Sequence, residues 1–267
     1  MENFIELVKR PTPMSVQGFE ALSIGESFNL FFKEFSTSID KKMATLSKSI
    51  HAVDFQHVAK HIRDNNVLYV KNTGHEILTP EGFAPGMGNM MAHTKAVVEG
   101  VYIISSLKTE ASRLYDWMKQ ILRNGRLDQS FKWTVGDFGN AVLKAENFIR
   151  NLPDNGRSVK YTLGQVYISF EEYFDCVNTF NSVVKTLGSR DVEMIAKDLS
   201  SVYDLGQLLV KKIQANDIRL TEQSVSDIEA VVNKFIELTN ISGALMVLLN
   251  ELTAVFTAQG DAIKHMR

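Results

Sequence analysis

The chain has 267 residues, with 29 basic and 31 acidic side chains and a formal net charge of −2. This near-balance argues against a general polyanion binder, because such proteins normally carry a basic excess or a basic stripe. The single cysteine, Cys176, excludes a disulfide framework and a zinc site built on four cysteines.

Residues 1–16 are predicted to form an N-terminal arm. Phe4 and Leu7 belong to an apolar patch that is too short to be a stable helix alone, and Pro11 and Pro13 then detach it from the following residues. An arm of this design is suited to docking on a neighbouring subunit. It does not read as a secretory signal, because no apolar stretch of the required length follows its charges. We therefore expect synthesis in the cytoplasm, without export by a signal peptide.

Residues 17–267 are predicted to form a single domain, an all-α, elongated up-and-down bundle of six or seven helices. Apolar residues at helical spacing predict a first helix from Ser27 to Val53, and Asp54 is a candidate N-cap for a short helix ending near Asp64. Because most connections are short, neighbouring helices are expected to run antiparallel.

Residues 67–91 interrupt the helical pattern and form an irregular insertion. Val67–Val70 is β-prone, and Ile77–Leu78 could return as the second strand of a small hairpin. Prolines and glycines then forbid a regular helix. The end of the insertion concentrates adaptable apolar side chains: Phe83, Met87, Met90 and Met91. Such side chains either fill gaps in a core or contact another chain, so they are candidates for protein interaction.

Most of the remaining chain is predicted to be helical. A shorter helix should follow Thr134, which forms a possible capping box with Asp137. The most apolar stretch, Ala244–Phe256, is shorter than the roughly 20 residues of a membrane span and is predicted to be a buried helix. Gly260 is a predicted fraying point near the end of the last helix. The other predicted helices run from about Asn89 to Arg123, about Val159 to Leu187, Ser189 to about Asn216, and from about Thr221 onward.

Two histidines are the candidate metal ligands. His57 and His61 are four positions apart, which would let both reach one ion from one helical face. Position 58 is Val, where the helix of a zinc metalloprotease carries its glutamate. Lys60 and Arg63 flank the pair, so two solvated side chains are the favoured interpretation. Neither a resident metal nor a cofactor is predicted.

Other catalytic patterns are incomplete in this sequence. The glycine-rich stretch ending at Gly88 lacks the Gly-Lys-Ser/Thr ending of a phosphate-binding loop. Cys176 falls within an aromatic-rich helix, where a thiol usually serves as a small core residue. Glu171, Glu172 and Asp175 form an acidic cluster, for which a solvated helix surface is the usual cause. The sequence therefore predicts that the protein is not an enzyme.

Basic residues form two modest clusters. One extends from Lys41 to Lys71 and is diluted by aspartates. The other contains Arg123, Arg126 and Lys132, together with Trp133, around an exposed-looking loop. Either could contact phosphate, but a solvated surface is favoured, and no strong nucleic-acid signal is present.

The arm MENFIELVKRPTPM, the loop TPEGFAPGMGNMM and the long helices together resemble all-helical structural proteins in the virions of large tailed bacteriophages, including inner-capsid and core components. Such proteins act by position and copy number, so the resemblance implies protein subunits as partners and no catalytic residues. We expect a non-enzymatic structural subunit of a larger assembly, made in the cytoplasm of a host cell and then incorporated in a virion. The alternatives are a helical adaptor or regulatory module that binds another protein, and a metal- or cofactor-dependent enzyme with a site inside the bundle.

Overall fold

The computed structural model describes residues 51–64, 76–80, 89–134, 147, 158–187, 189–218 and 220–265. Within these ranges the chain forms six helices and two strands, and the predicted all-α bundle is confirmed. The predicted arm, nearly all of the first long helix and the helix expected after Thr134, except position 147, lie outside the described residues. In chain order the elements are α1 (Gln56–Asp64), β1 (Glu76–Pro80), α2 (Asn89–Asn124), β2 (Ser158–Thr162), α3 (Leu163–Val166), α4 (Phe170–Thr186), α5 (Ser189–Gln214) and α6 (Glu222–Lys264).

α1 is the short helix predicted from its N-cap. Asp54 Oδ1 accepts a hydrogen bond from the backbone N–H of Gln56 at 3.1 Å, which satisfies one of the amides left free at a helix N-terminus. Val58 is buried against the bundle. Residues 51–55 have no helical structure. The prediction that the first long helix extends to Val53 is therefore wrong at this end.

β1 and β2 form a two-stranded antiparallel sheet, in which Ile77 lies opposite Tyr161. The strand predicted at Ile77–Leu78 is confirmed, and its partner among the described residues is β2. The partner expected from the sequence, Val67–Val70, lies outside the described residues. Lys160 and Glu76 form an ion pair across the two strands, with 3.3 Å between Nζ and Oε2.

The helix predicted from about Val159 to Leu187 is wrong in its first part. β2 and the short helix α3 occupy that part, because the β-branched and aromatic residues around Tyr161 suit a strand that has a partner. α4 then begins afresh after Ser169, whose hydroxyl accepts a hydrogen bond from the N–H of Glu172 at 3.3 Å. The Glu172 carboxylate in turn accepts the N–H of Ile168 at 2.7 Å, so two amides at this helix start are satisfied.

α2 matches the helix predicted from Asn89 to Arg123 within one residue. It has 36 residues, which corresponds to about 54 Å at 1.5 Å per residue. Gly125 ends it with a φ of 68°, in the left-handed region that glycine adopts at little cost. The Gly125 N–H donates to the Ile121 carbonyl at 2.9 Å, which closes the last turn.

α6 is the longest described helix, and its start was predicted correctly. The Thr221 hydroxyl accepts a hydrogen bond from the N–H of Ser224 at 3.1 Å and so caps the helix. Gly260 is not a fraying point, because α6 continues to Lys264 and Gly260 is buried. A Cβ placed on Gly260 would lie only 2.9 Å from the Tyr173 hydroxyl oxygen. The glycine thus allows α4 and α6 to approach closely.

α4 and α5 run in the same direction as α2. Thr94 of α2 lies beside Cys176 of α4, and Lys108 of α2 lies near Asp198 of α5, so the residue numbers rise together along the bundle. Only residues 187 and 188 separate α4 from α5. α5 therefore continues in the direction of α4, where the sequence predicts a reversal.

α6 runs antiparallel to α2, as expected for neighbouring helices. Leu245 lies against Gly100 near the start of α2, whereas Phe235 packs on Trp133, beside the second half of α2. Every residue from Leu238 to Met246 is buried. Such all-round burial identifies α6 as the central helix of the bundle. The prediction of a buried helix over Ala244–Phe256 is confirmed.

Among the described residues, α6 is also the one helix that is long and apolar enough to cross a membrane, judged by length and composition. The core helix of a globular bundle passes the same criterion, and most of the apolar window of α6 is buried inside the protein.

Candidate functional site

The two histidines proposed as metal ligands lie on α1. His57 is exposed, and its Nε2 atom lies 3.4 Å from Oδ2 of Asp54. His61 is half-buried one turn further on. Within the described ranges, no group of three or more His, Cys, Asp or Glu side chains is placed to hold a metal ion. His57 and Asp54 thus form an ordinary pair at the start of a helix.

The interaction candidates from the irregular insertion fall partly within the structure. Met90 has 1% of its surface exposed, so its side chain belongs to the core, which was one of the two alternatives given by the sequence. Met91 is half-buried and packs against the same core. The remaining candidates lie outside the described residues: Phe4, Leu7, Phe83 and Met87.

Cys176 is fully buried on α4, as predicted for a small core residue. Burial raises the pKa of its thiol to about 12, and the nearby carboxylates of Glu172 and Asp175 act in the same direction. The thiol therefore stays protonated near neutral pH, and a thiolate is the form required of a nucleophile. One member of the acidic cluster around Cys176 has a structural role: the Glu172 carboxylate accepts the Ile168 N–H at the start of α4.

Arg123 of the second basic cluster lies in the last turn of α2, and the rest of the cluster lies in a segment, residues 125–134, which we call the strap. The strap leaves the end of α2 and runs back along that helix. Three α2 side chains hold it from one helical face, because Glu110, Arg113 and Trp117 are spaced by three and four positions.

Polar contacts fix the second half of the strap, residues 129–134. Glu110 is fully buried, and its Oε1 atom accepts hydrogen bonds from the Thr134 N–H, at 2.8 Å, and from the Thr134 hydroxyl. Arg113 Nη2 donates to the Lys132 carbonyl at 2.7 Å, and the Trp117 indole N–H donates to the Gln129 carbonyl at 2.8 Å. Glu110 Oε2 has no hydrogen-bond partner within the described structure, and it forms an ion pair with Arg113 Nε at 3.7 Å.

The aromatic side chains of the strap face inward. Trp133 stacks on Phe235 of α6 with ring centroids 5.0 Å apart, and Phe131 meets both rings edge-on. The interpretation of this loop as an exposed basic and aromatic surface is therefore wrong for Trp133. Arg126 is paired with Asp128, with 2.5 Å between Nε and Oδ1, so its charge is compensated inside the strap. These contacts do not favour phosphate binding.

A partly open cavity of about 270 Å³ lies beneath the first half of the strap. Its walls are polar on both sides, with Gln120 and Asn124 from α2 facing Asp128 and Gln129 from the strap. Asn124 Nδ2 donates to Asp128 Oδ2 at 2.8 Å at the rim. The other lining residues are Trp117, Ile121, Arg126 and Leu127.

A buried tyrosine pair lies at the opposite end of the bundle, beside the sheet. The Tyr167 hydroxyl donates to Gln259 Oε1, and the Tyr173 hydroxyl donates to the Phe256 carbonyl at 3.1 Å. The two rings meet edge-on with centroids 5.6 Å apart. Burial raises the pKa of both hydroxyls well above the ordinary tyrosine value. They therefore act as neutral hydrogen-bond donors that join α4 and the preceding turn to α6.

Asn181 makes a third buried connection, between α4 and the segment before α1. Its Oδ1 accepts the N–H of Val53 at 2.8 Å, and its Nδ2 donates to the carbonyl of Val53 at 2.9 Å. The amide side chain thus pairs with a backbone residue as a neighbouring β-strand would.

Glu110 and Asn181 are buried polar residues whose contacts were not predicted from the sequence. Both lie on apolar helical faces: Glu110 comes three positions after Leu107 and four before Leu114. A polar residue at such a position is a signal for a buried hydrogen bond. The partner of that bond could not be read from the spacing, since it lies on a distant segment.

The chain matches no family model, no curated protein and no solved structure at a level that would indicate a common origin.

Proposed function

We propose that the protein is a non-enzymatic structural subunit of a larger protein assembly, and that this assembly is a virion. The observation that supports this best is that buried polar side chains among the described residues bind other segments of the same chain. The buried carboxylate of Glu110, the hydroxyls of Tyr167 and Tyr173 and the amide of Asn181 each bind another segment of the same chain. These contacts hold one arrangement of helices, which is the property that a subunit acting by position requires.

The mechanism of such a subunit is packing. α6 has 43 residues and spans about 64 Å at 1.5 Å per residue. It contacts β1 and α1 near one end of the bundle and packs on Trp133 of the strap toward the other. This central rod fixes the spacing between surfaces at the two ends. Other subunits would then dock through the arm of residues 1–16 and through Phe83 and Met87 in the insertion.

Four large apolar side chains exposed on the described surface provide a comparison for these contacts: Tyr102, Ile168, Met194 and Leu208. Scattered single residues of this kind are normal on a monomer and do not mark an interface by themselves. Substituting one of them therefore serves as a control for changes in the arm and the insertion.

The test is the mass of the protein in solution, measured by analytical ultracentrifugation over a wide concentration range. We expect the full chain to self-associate, and the variant lacking residues 1–16 to shift toward the monomer with an unchanged circular dichroism spectrum. Phe83→Ser with Met87→Ser should have a similar effect, whereas Tyr102→Ser should not. A full chain that stays monomeric at every concentration would contradict self-assembly and favour the adaptor alternative.

A further inference from the structure

The strap is attached to the bundle by contacts that depend on one another. Trp117 donates its indole N–H to the Gln129 carbonyl and also meets the Phe131 ring edge-on, at 5.6 Å between centroids. Phe131 in turn contacts Trp133 and Phe235. Moving any one of these rings alone would remove the packing of the next, so the strap is expected to move as a whole or not at all.

The first half of the strap is loosely packed. The cavity of about 270 Å³ separates it from the last turns of α2. Gly125, which connects the strap to α2, has a φ of 68°, and a Cβ placed on it would have no atom of the described residues within 4 Å. The connection therefore has the conformational freedom that a pivot requires.

The far end of the strap is held by a buried charged group. Oε1 of Glu110 accepts both the N–H and the hydroxyl of Thr134, and hydrogen bonds to an ionised carboxylate are stronger than those between neutral groups. Its Oε2 atom has no hydrogen-bond partner in the described part of the chain, and Arg113 lies nearby. The hydrogen bonds from Thr134 are therefore the main interactions that stabilise this carboxylate in the interior.

We propose that residues 125–134 open and close as one unit that pivots at Gly125 and is latched by Glu110. In the open state the Phe235 ring, which is fully buried in the closed state, loses the cover of Phe131 and Trp133. This motion is a property of the monomer and does not depend on the proposed assembly.

The experiment measures hydrogen exchange by NMR at two protons that the strap protects. The Thr134 amide proton is bound by Glu110, and the Trp117 indole proton is bound by the Gln129 carbonyl. In the unmodified protein the two should exchange with the same opening free energy, and both should exchange faster than the buried amides of α6, such as that of Leu245.

Two variants weaken the latch. Glu110→Gln keeps the shape of the side chain and removes its charge, and Thr134→Val removes the hydroxyl donor while keeping the backbone N–H. Either change should speed exchange at both protons by the same factor, about ten- to a hundredfold for Glu110→Gln, and the opening free energy at both protons should stay smaller than that at the α6 amides. Lys132→Ala is the matched control, since only the carbonyl of Lys132 is used by Arg113.

Two outcomes would overturn the proposal. Faster exchange at Thr134 without a change at the Trp117 indole would show that the contacts act independently. An opening free energy at Thr134 and at the Trp117 indole equal to that of the α6 amides, in the unmodified protein, would show that the strap opens only when the whole protein unfolds.

Discussion

The clearest prediction concerns Asn181, whose side chain pairs with the backbone of Val53. Replacing it with Ala removes two hydrogen bonds, at 2.8 and 2.9 Å, and leaves the N–H and carbonyl of a residue that is only 7% exposed without partners. Each hydrogen bond contributes about 1 kcal/mol net, and an unsatisfied buried group costs about 1–3 kcal/mol. We therefore expect the free energy of unfolding to fall by about 2–5 kcal/mol.

The assay is urea unfolding followed by circular dichroism. Asn181→Leu distinguishes the loss of the hydrogen bonds from the loss of packing, because Leu fills the space but can neither donate nor accept a hydrogen bond. We expect this variant to be strongly destabilised as well. Asn178→Ala is the matched control, since Asn178 is exposed on the same helix, and it should change stability by no more than about 0.5 kcal/mol. If Asn181→Ala and Asn178→Ala had equal effects, the reasoning from the Val53 contact would be refuted.

Two further predictions concern α6. Gly243→Ala should raise the free energy of unfolding by about 0.5–1 kcal/mol, because Ala favours a helix over Gly and a Cβ there meets no atom of the described residues within 4 Å. Gly260→Ala has the same gain in propensity but should destabilise in the same unfolding assay, since its Cβ would lie 2.9 Å from the Tyr173 hydroxyl and 3.1 Å from Val58; two stabilising substitutions would contradict the close approach. Burial raises the pKa of Glu251 from 4.5 to about 7, so the folded protein holds a proton that the unfolded chain releases in this window, and stability should fall as pH rises between these values. Glu251→Gln should flatten this decline in urea titrations at a series of pH values, and an unchanged slope would exclude Glu251 as its source.

Local patterns in the sequence were sufficient for helix positions where propensity, caps and periodicity agree. The Asp54 cap of α1, the ends of α2 and the Thr221 cap of α6 follow from residues within a few positions of each other. Local patterns did not predict β2, because Tyr161 continues a spacing of apolar residues that also suits a helix. That segment becomes a strand because it pairs with β1, and a pairing between distant segments leaves no local pattern.

The strap is a second case in which contacts with distant segments could not be predicted from the local sequence. Its sequence contains Arg126, Lys132 and Trp133, a composition that is compatible with an exposed phosphate-binding loop. Its contacts with Glu110 and Phe235 turn it inward, and those partners lie on two other segments of the chain. Composition therefore identified an unusual loop but not the direction in which its side chains point.

The central position of α6 has a consequence for how the protein folds during synthesis. The last residue of α6, Lys264, leaves the ribosome 140 residues after Asn124 at the end of α2, a delay of roughly 7 to 28 s at ordinary rates of translation. During that interval the apolar face of α2, and later that of α4, has been made but lacks the central helix against which it packs. A nascent chain in this condition is prone to aggregation, so its yield should depend on chaperones that bind exposed apolar segments.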